Sequence, residues 1–145
     1  MRRMILAAML LVAPAQAAEP ASALPFGELP PQVLAKGECA MFLWERAGSS
    51  RVAMLVAGEA PVLRVWRDGK LASLAAVPGS ASGTPVMGFA PSQRFADAQT
   101  AVAIDVTIVP NPGGIGGVVR DGALTLTRAD GEAVVAPVAG LLGCG

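Results

Sequence analysis

The stretch VLRVWRDGKLASLAAV, residues 62–77, decides the fold. Asp68-Gly69 at its centre supplies the positive φ angles that a two-residue type I′ turn requires, and alternating residues flank it on both sides. The stretch therefore predicts a β-hairpin in which Arg67 lies opposite Lys70. In that register one face carries Leu63, Val65, Ala72 and Leu74, and the other carries Val62, Arg64, Trp66, Leu71 and Ser73.

Further short apolar runs before and after this hairpin also have the character of strands. Thr100–Val109 alternates Val and Ile with smaller or polar residues, which indicates a half-buried strand. Cys39–Trp44, and Arg51–Ala57 after its first residue, are continuously apolar, which favours strands covered on both faces. Between the hairpin and Thr100 we expect a weak strand at Val86–Ala90, followed by a polar connector at Pro91–Asp97.

The last third of the chain contains two more Asp-Gly pairs. Asp121-Gly122 and Asp130-Gly131 each predict a hairpin turn, and the pattern V-x-R-D-G-x-L occurs at both Val65–Leu71 and Val118–Leu124. We interpret the two copies as two similar hairpins rather than as a duplicated domain. About eight strands with no helical periodicity between them indicate an all-β, single-domain antiparallel fold.

The two cysteines place a constraint on that fold. Cys39 opens the first strand-like run and Cys144 is the penultimate residue, so a disulfide between them brings the two ends of the domain together. Such a bond closes a loop of roughly 100 residues and contributes about 4–5 kcal/mol in the chain-entropy model. First and last strands are neighbours in a closed barrel, so we predict a small β-barrel; the alternative is a β-sandwich.

The first seventeen residues have the pattern of a secretory signal peptide. Arg2 and Arg3 precede an apolar run at Met4–Val12, and Ala15-Gln16-Ala17 is a small-x-small cleavage site. As a helix this run rises only about 14 Å, against a hydrocarbon core of roughly 30 Å, which favours a signal peptide over a membrane anchor. No later stretch of about 18 apolar residues lacks charges, so we predict no transmembrane span after signal removal. The predicted location is periplasmic or secreted.

A Pro-rich extended leader at 18–37 separates the signal peptide from the β domain at 38–145. We expect one helical turn at Pro31–Lys36, ended by Gly37. Phe26 and Leu29 are too apolar to remain in water, so we expect them to lie across one end of the domain.

The composition excludes much chemistry. The chain has no His, two Cys and 11 basic against 11 acidic residues. No His-based triad, His-ligated metal or four-cysteine zinc site can be assembled, so no catalytic residue, metal or cofactor is predicted. Loss of Arg2 and Arg3 leaves a slightly acidic domain, which has no field to recruit nucleic acid.

Trp66 is the leading candidate for a binding residue. Its predicted face also carries Arg64 and Ser73, and an aromatic residue beside an arginine is typical of binding hot spots. The alternative is that Trp66 packs against the core or the leader. Phe26 joins the candidates because the leader precedes the disulfide-tied domain and carries apolar residues. Asp105 is expected on the solvent face of its strand; the alternative is a lumen-facing carboxylate paired with Arg64 or Arg94.

Two functions fit these observations. The first is an exported, non-catalytic β-domain that binds a protein or envelope partner, for example as a periplasmic enzyme inhibitor whose leader reaches into the target. The second is a barrel that carries an apolar small molecule, which requires an interior cavity of some hundreds of cubic ångströms.

Overall fold

The computed structural model describes residues 13–15 and 24–145, and the strands among them form a closed antiparallel barrel. Each strand pairs with the next along the chain, and the last pairs with the first. The barrel predicted from the sequence is therefore confirmed, and the sandwich is excluded. The strands are β1 (Cys39–Glu45), β2 (Arg51–Val56), β3 (Val62–Arg67), β4 (Lys70–Ala76), β5 (Ser92–Ala96), β6 (Thr100–Pro110), β7 (Gly117–Arg128) and β8 (Ala133–Cys144).

The disulfide joins the first and last strands as expected. Cys39 and Cys144 are bonded, and they are also directly opposite each other in the β1–β8 ladder. The bond defines a disulfide end of the barrel, where the connections at 57–61, 77–91 and 111–116 also lie. The opposite end, here the turn end, carries the shorter connections at 46–50, 68–69, 97–99 and 129–132.

Apolar side chains fill the barrel interior. Because side chains alternate along a strand, one face of every strand contributes to this packing. Near the turn end the leader adds Leu24 and Phe26 to the same cluster. The largest fully buried members of this interior cluster are Met41, Leu43, Leu55, Leu63, Leu74, Phe95, Ile104, Leu124 and Leu126.

The hairpin at 62–77 has the predicted turn and register. Asp68 and Gly69 have φ angles of 53° and 74°, as a type I′ turn requires. Arg67 is opposite Lys70, and the pairing continues to Leu63 opposite Leu74. The face of Leu63 and Leu74 packs into the interior cluster, and the face with Trp66 looks outward.

The second copy of the pattern is not a hairpin, and this prediction was wrong. Asp121 and Gly122 lie inside β7, where the pairing with β6 and β8 shifts to form a β-bulge. A Cβ at Gly122 would come within 2.8 Å of Val106 Cγ1. Gly122 is thus needed for close packing across the barrel wall rather than for a turn. The third pair does form a turn, with Gly131 at a φ of 87°.

The fifth strand is also displaced from its predicted position. The segment at 86–90 is a tight turn in which Val86 and Phe89 bond each other, with Met87 and Gly88 at φ angles of 55° and 84°. The strand is instead Ser92–Ala96, which had been predicted as a connector. Ser92, Gln93 and Arg94 made this segment look like a loop. Its side chains nevertheless alternate between the two faces of the strand, and Gln93 and Phe95 point inward.

The described part of the leader passes from the interior to the outer wall of the barrel. Gly27 N–H donates to Trp66 O at 2.9 Å, and Leu29 N–H donates to Arg51 O at 2.8 Å. These bonds lie at the turn end, where the β2–β3 ladder stops at Ala53 opposite Val65. The leader therefore fills the gap between two diverging strands. The predicted helical turn at 31–36 is absent: residues 31–35 have no regular secondary structure, and the chain turns at Lys36 and Gly37, where Glu38 N–H donates to Ala35 O at 3.0 Å.

On the outer wall the leader covers a second cluster, which explains the continuous apolar run of β1. Leu29 and Leu34 pack against outward residues of β1–β3, among them Ala40, Met54 and Trp66. Phe26 was expected across one end and lies there, but Leu29 lies on the wall. Trp44, which a buried strand would place in the core, is a half-buried residue of the outer wall.

The predicted signal peptide lies outside the described residues except for 13–15, which are exposed. Among the described residues, no helix has the length and apolar character needed to cross a bilayer.

Candidate functional site

The β3–β4 hairpin presents the predicted binding residues together on the outer wall. Arg64 is directly opposite Ser73, and Trp66 is directly opposite Leu71. Ser73 is exposed, the Leu71 side chain is 45% exposed, and Arg64 and Trp66 are half-buried. We call these four residues the hairpin face. It combines an aromatic ring, an aliphatic side chain and a cation on a two-stranded support.

The leader holds Trp66 from one side. Its indole belongs to the outer cluster with Leu29 and Met54, and a Cβ at Gly27 would come within 2.8 Å of Trp66 Cδ1. Trp66 therefore packs against the leader, which was the alternative to a fully exposed binding residue. This contact fixes the ring and leaves only part of it to solvent.

Phe26 does not belong to the hairpin face. Its side chain is 6% exposed and packs in the interior cluster. The phenyl ring therefore fills the turn end of the barrel, where its burial is favourable, and presents little surface to a partner. The part of the leader that the structure describes is bonded to the barrel rather than projecting from it.

The backbone of β4 is paired on its β5 side over only part of its length. The pairing begins with Ala76 opposite Phe95 and ends with Ala75 opposite Ala96, where β5 itself ends. Val77 N–H donates to Arg94 O on this side, while Ala76 N–H donates to Pro61 O on the β3 side. Since alternate residues point the same way, the N–H groups of Leu71 and Ser73 face the β5 side. We call Lys70–Leu74 the β4 edge.

Side chains close the barrel where this ladder is missing. Arg67, on the inward side of β3, donates to Asp97 Oδ2 at 2.7 Å and to Thr100 Oγ1 at 2.9 Å. This ion pair spans the turn end between the hairpin and the β5–β6 turn. The hydrogen bond from Arg67 lowers the pKa of Asp97 to about 2. Partial burial acts in the opposite direction, and hydrogen bonds from the N–H groups of Gln99 and Thr100 lower the pKa further.

The charges around the β4 edge are mainly positive. Among the described residues, neither Arg64 nor Lys70 forms an ion pair, and Arg67 is neutralised by Asp97. The hairpin carries one acidic residue, Asp68 in its turn. An anionic group is therefore the favoured neighbour for this edge.

Asp105 lies on the solvent face of β6, as expected. It is exposed, and its Oδ1 accepts a hydrogen bond from Ser92 Oγ at 2.7 Å. This bond links β5 and β6 on the outer wall and uses the carboxylate structurally.

The cavities formed by the described residues include three at the ends and on the outer wall of the barrel. One of about 180 Å³ lies at the turn end around Asp97–Ala101 and Thr127–Ala129. Another of about 410 Å³ lies toward the disulfide end, around Glu59–Val62 and the segment 75–81. The third, of about 290 Å³, is an apolar groove on the outer wall between Trp44 and Leu141. None has the convergent titratable groups typical of a catalytic cleft.

Two buried polar residues were not singled out from the sequence. Glu45 is 1% exposed at the turn end of β1, and Gln93 is buried in β5. Inward placement of Glu45 follows from counting alternate positions from Met41 and Leu43, a signal that was present in the sequence. In the described ranges, no group of three or more Cys, Asp or Glu side chains is arranged to hold a metal ion.

Comparison with known proteins gives no assignment: no family model, no curated protein and no solved structure matches this chain.

Proposed function

We propose that this chain is an exported, non-catalytic binding domain that recognises a protein partner through the hairpin face. The observation that carries the proposal is the pairing of Arg64 with Ser73 and of Trp66 with Leu71 on a disulfide-tied barrel. Aromatic and arginine side chains dominate the energetics of protein interfaces, and a rigid support lowers the entropic cost of presenting them.

The filled interior favours this function over transport of a small molecule. A carrier barrel needs a lumen, whereas here Phe95, Ile104 and Leu126 are among the fully buried side chains that meet inside the barrel. The cavity of about 410 Å³ lies at the disulfide end, where loop residues and the inward Gln93 line it, and none of these three side chains contributes to its lining.

Export is part of the proposal and is supported by the disulfide. A Cys39–Cys144 bond is consistent with an oxidising compartment such as the periplasm or the cell exterior. Inhibition of an enzyme of that compartment is one form that partner binding would take.

Affinity capture from a periplasmic extract of the source cells tests the function. Leu71→Asp is the informative variant, because it places a charge on the hairpin face without removing a buried side chain. Val135→Asp is the matched control, since Val135 is 59% exposed on the outer face of β8. We expect a captured protein to be retained by the wild type and by Val135→Asp, and to bind Leu71→Asp at least tenfold more weakly.

Two outcomes contradict the proposal. Capture that is equal for the wild type and both variants means that binding does not use the hairpin face. A co-purifying lipid or other small molecule, with no protein captured, favours the carrier function. If the captured protein is an enzyme, its activity with and without the wild-type domain tests the inhibitor form.

A further inference from the structure

We propose that the β4 edge binds an extended acidic segment of the partner protein by antiparallel strand addition. This inference rests on the proposed function and specifies the chemistry of the partner. The carrying observation is that Leu71 and Ser73 direct their N–H and C=O groups to the side where β5 has already ended. On that side, no described residue forms backbone pairing with the part of β4 that precedes Ala75.

The hydrogen-bonding pattern determines which backbone groups are free. In a two-residue hairpin the residues that flank the turn bond each other, so Arg67 and Lys70 form a hydrogen-bonded pair. By the same alternation, the backbone N–H and C=O groups of Ala72 and Leu74 point toward β3 and form hydrogen bonds with it. Leu71 and Ser73 then offer two donors and two acceptors, spaced as an antiparallel strand requires.

Exposed residues border the β4 edge. Leu71 and Ser73 are exposed, as are Ala98 and Gln99 in the turn beyond β5. Arg67, held by Asp97 and Thr100, closes the inner side of this gap. A strand added here would extend the barrel wall along its outer edge without entering the packed interior.

Neighbouring side chains specify the sequence of the added strand. A residue opposite Ser73 would have its side chain on the outer wall, and the small serine lets Arg64 reach across to it. A residue opposite Leu71 would meet Leu71 and the edge of Trp66. An antiparallel strand therefore favours Glu-x-Val, with the acid opposite Ser73 and the aliphatic residue opposite Leu71.

A peptide titration followed by amide NMR shifts tests the backbone pairing. The probe is acetyl-Thr-Glu-Thr-Val-Thr-amide, compared with two singly modified forms. N-methylation of the valine removes a donor that faces Leu71, whereas N-methylation of the central threonine removes a donor that faces away from β4. We expect shifts at Leu71 and Ser73 with the probe, unchanged affinity for the threonine-methylated form, and at least tenfold weaker binding of the valine-methylated form.

The opposite pattern overturns strand addition. Absence of shifts at Leu71 and Ser73 at millimolar peptide, or equal binding of both methylated forms, contradicts it. Replacement of Glu by Lys in the probe should weaken binding at least threefold, and equal affinity would contradict the acidic preference.

Two variants of Ser73 separate this inference from the proposed function when the captured partner is used. Ser73→Pro removes an edge donor and leaves the bonds to β3 intact, and Ser73→Ala keeps the backbone unchanged. Ser73→Ala measures the contribution of the hydroxyl, and we expect Ser73→Pro to bind the partner at least tenfold more weakly than Ser73→Ala does, with unchanged thermal unfolding midpoints. If Leu71→Asp loses the partner while Ser73→Pro binds as the wild type does, the function stands and strand addition is wrong.

Discussion

At the scale of single residues, one dipeptide serves two structural purposes. Asp68-Gly69 turns the chain between β3 and β4, whereas Asp121-Gly122 lies in a bulge within β7. Local sequence could not separate them, since both follow Val-x-Arg and precede x-Leu. The difference comes from the strands on either side: β7 is paired with both β6 and β8 across this point.

Substitution by asparagine should distinguish the two glycines. At Gly69 the φ angle is +74° and no atom lies within 4 Å of an added Cβ, so asparagine, which tolerates this conformation, should cost below about 1 kcal/mol. At Gly122 the added Cβ meets Val106 and Val138 at 2.8 and 3.1 Å, so the same change should cost about 1–3 kcal/mol or more. Urea denaturation measures both; equal losses would contradict the assigned roles.

The Arg67–Asp97 pair gives a pH-dependent prediction. Because the pKa of Asp97 falls from 3.8 to about 2 on folding, its contribution to stability is present above pH ~4 and is lost as the pH falls through about 2. Because solvent partly screens the ion pair, Asp97→Asn should lower the free energy of unfolding by about 1–2 kcal/mol at neutral pH.

The same variant supplies its own control at low pH. Near pH ~1.5 the carboxyl is mostly protonated in both states, so most of the electrostatic part of the difference should have disappeared. Urea unfolding of the wild type and Asp97→Asn at several pH values measures the change. A difference that is constant from neutral pH to the lowest pH would show that the ion pair is not responsible.

At the scale of elements, the leader behaves as part of the domain. Leu29 is completely buried although it lies outside the barrel, whereas Val33 is 93% exposed only four residues later. Leu29→Ala should cost about 2–5 kcal/mol, as for other buried leucines. Val33→Ala, the matched control, should change stability by less than about 0.5 kcal/mol. Equal small effects of both would mean that the leader is not packed on the wall.

Strand order and register were predictable where local chemistry is decisive. The Asp68-Gly69 hairpin was correct to the residue because a two-residue turn determines which residues face each other. β5 was missed because it is short and rich in polar residues, and its pairing partners are distant in sequence. The β4 edge could not be predicted, since it depends on where β5 ends relative to β4.

At the scale of the whole molecule, the disulfide joins ends that are 105 residues apart. Reduction should lower the free energy of unfolding by about 4–5 kcal/mol without changing the strand pairing, because β1 and β8 also form a hydrogen-bonded ladder. Denaturation of the oxidised and reduced protein measures the loss. A loss below about 1 kcal/mol would mean that the ladder alone holds the ends together.

The barrel as a whole is closed, its interior is filled by apolar side chains, and a disulfide joins its first and last strands. Beside the hairpin face, the backbone of β4 is unpaired on its β5 side. The strand pattern and the two cysteines predicted the closed barrel and its disulfide, whereas the sequence left open whether the interior is filled. The exposed face was anticipated through the register of residues 62–77, except that Trp66 is shared with the leader.

Amide hydrogen exchange of the free protein tests this arrangement most directly. In one short strand, the N–H groups of Ala72 and Leu74 should be protected by β3, while those of Leu71 and Ser73 should exchange at least a hundredfold faster. Equal protection of all four would show that the edge is already paired, and would contradict both the open edge and its role in binding.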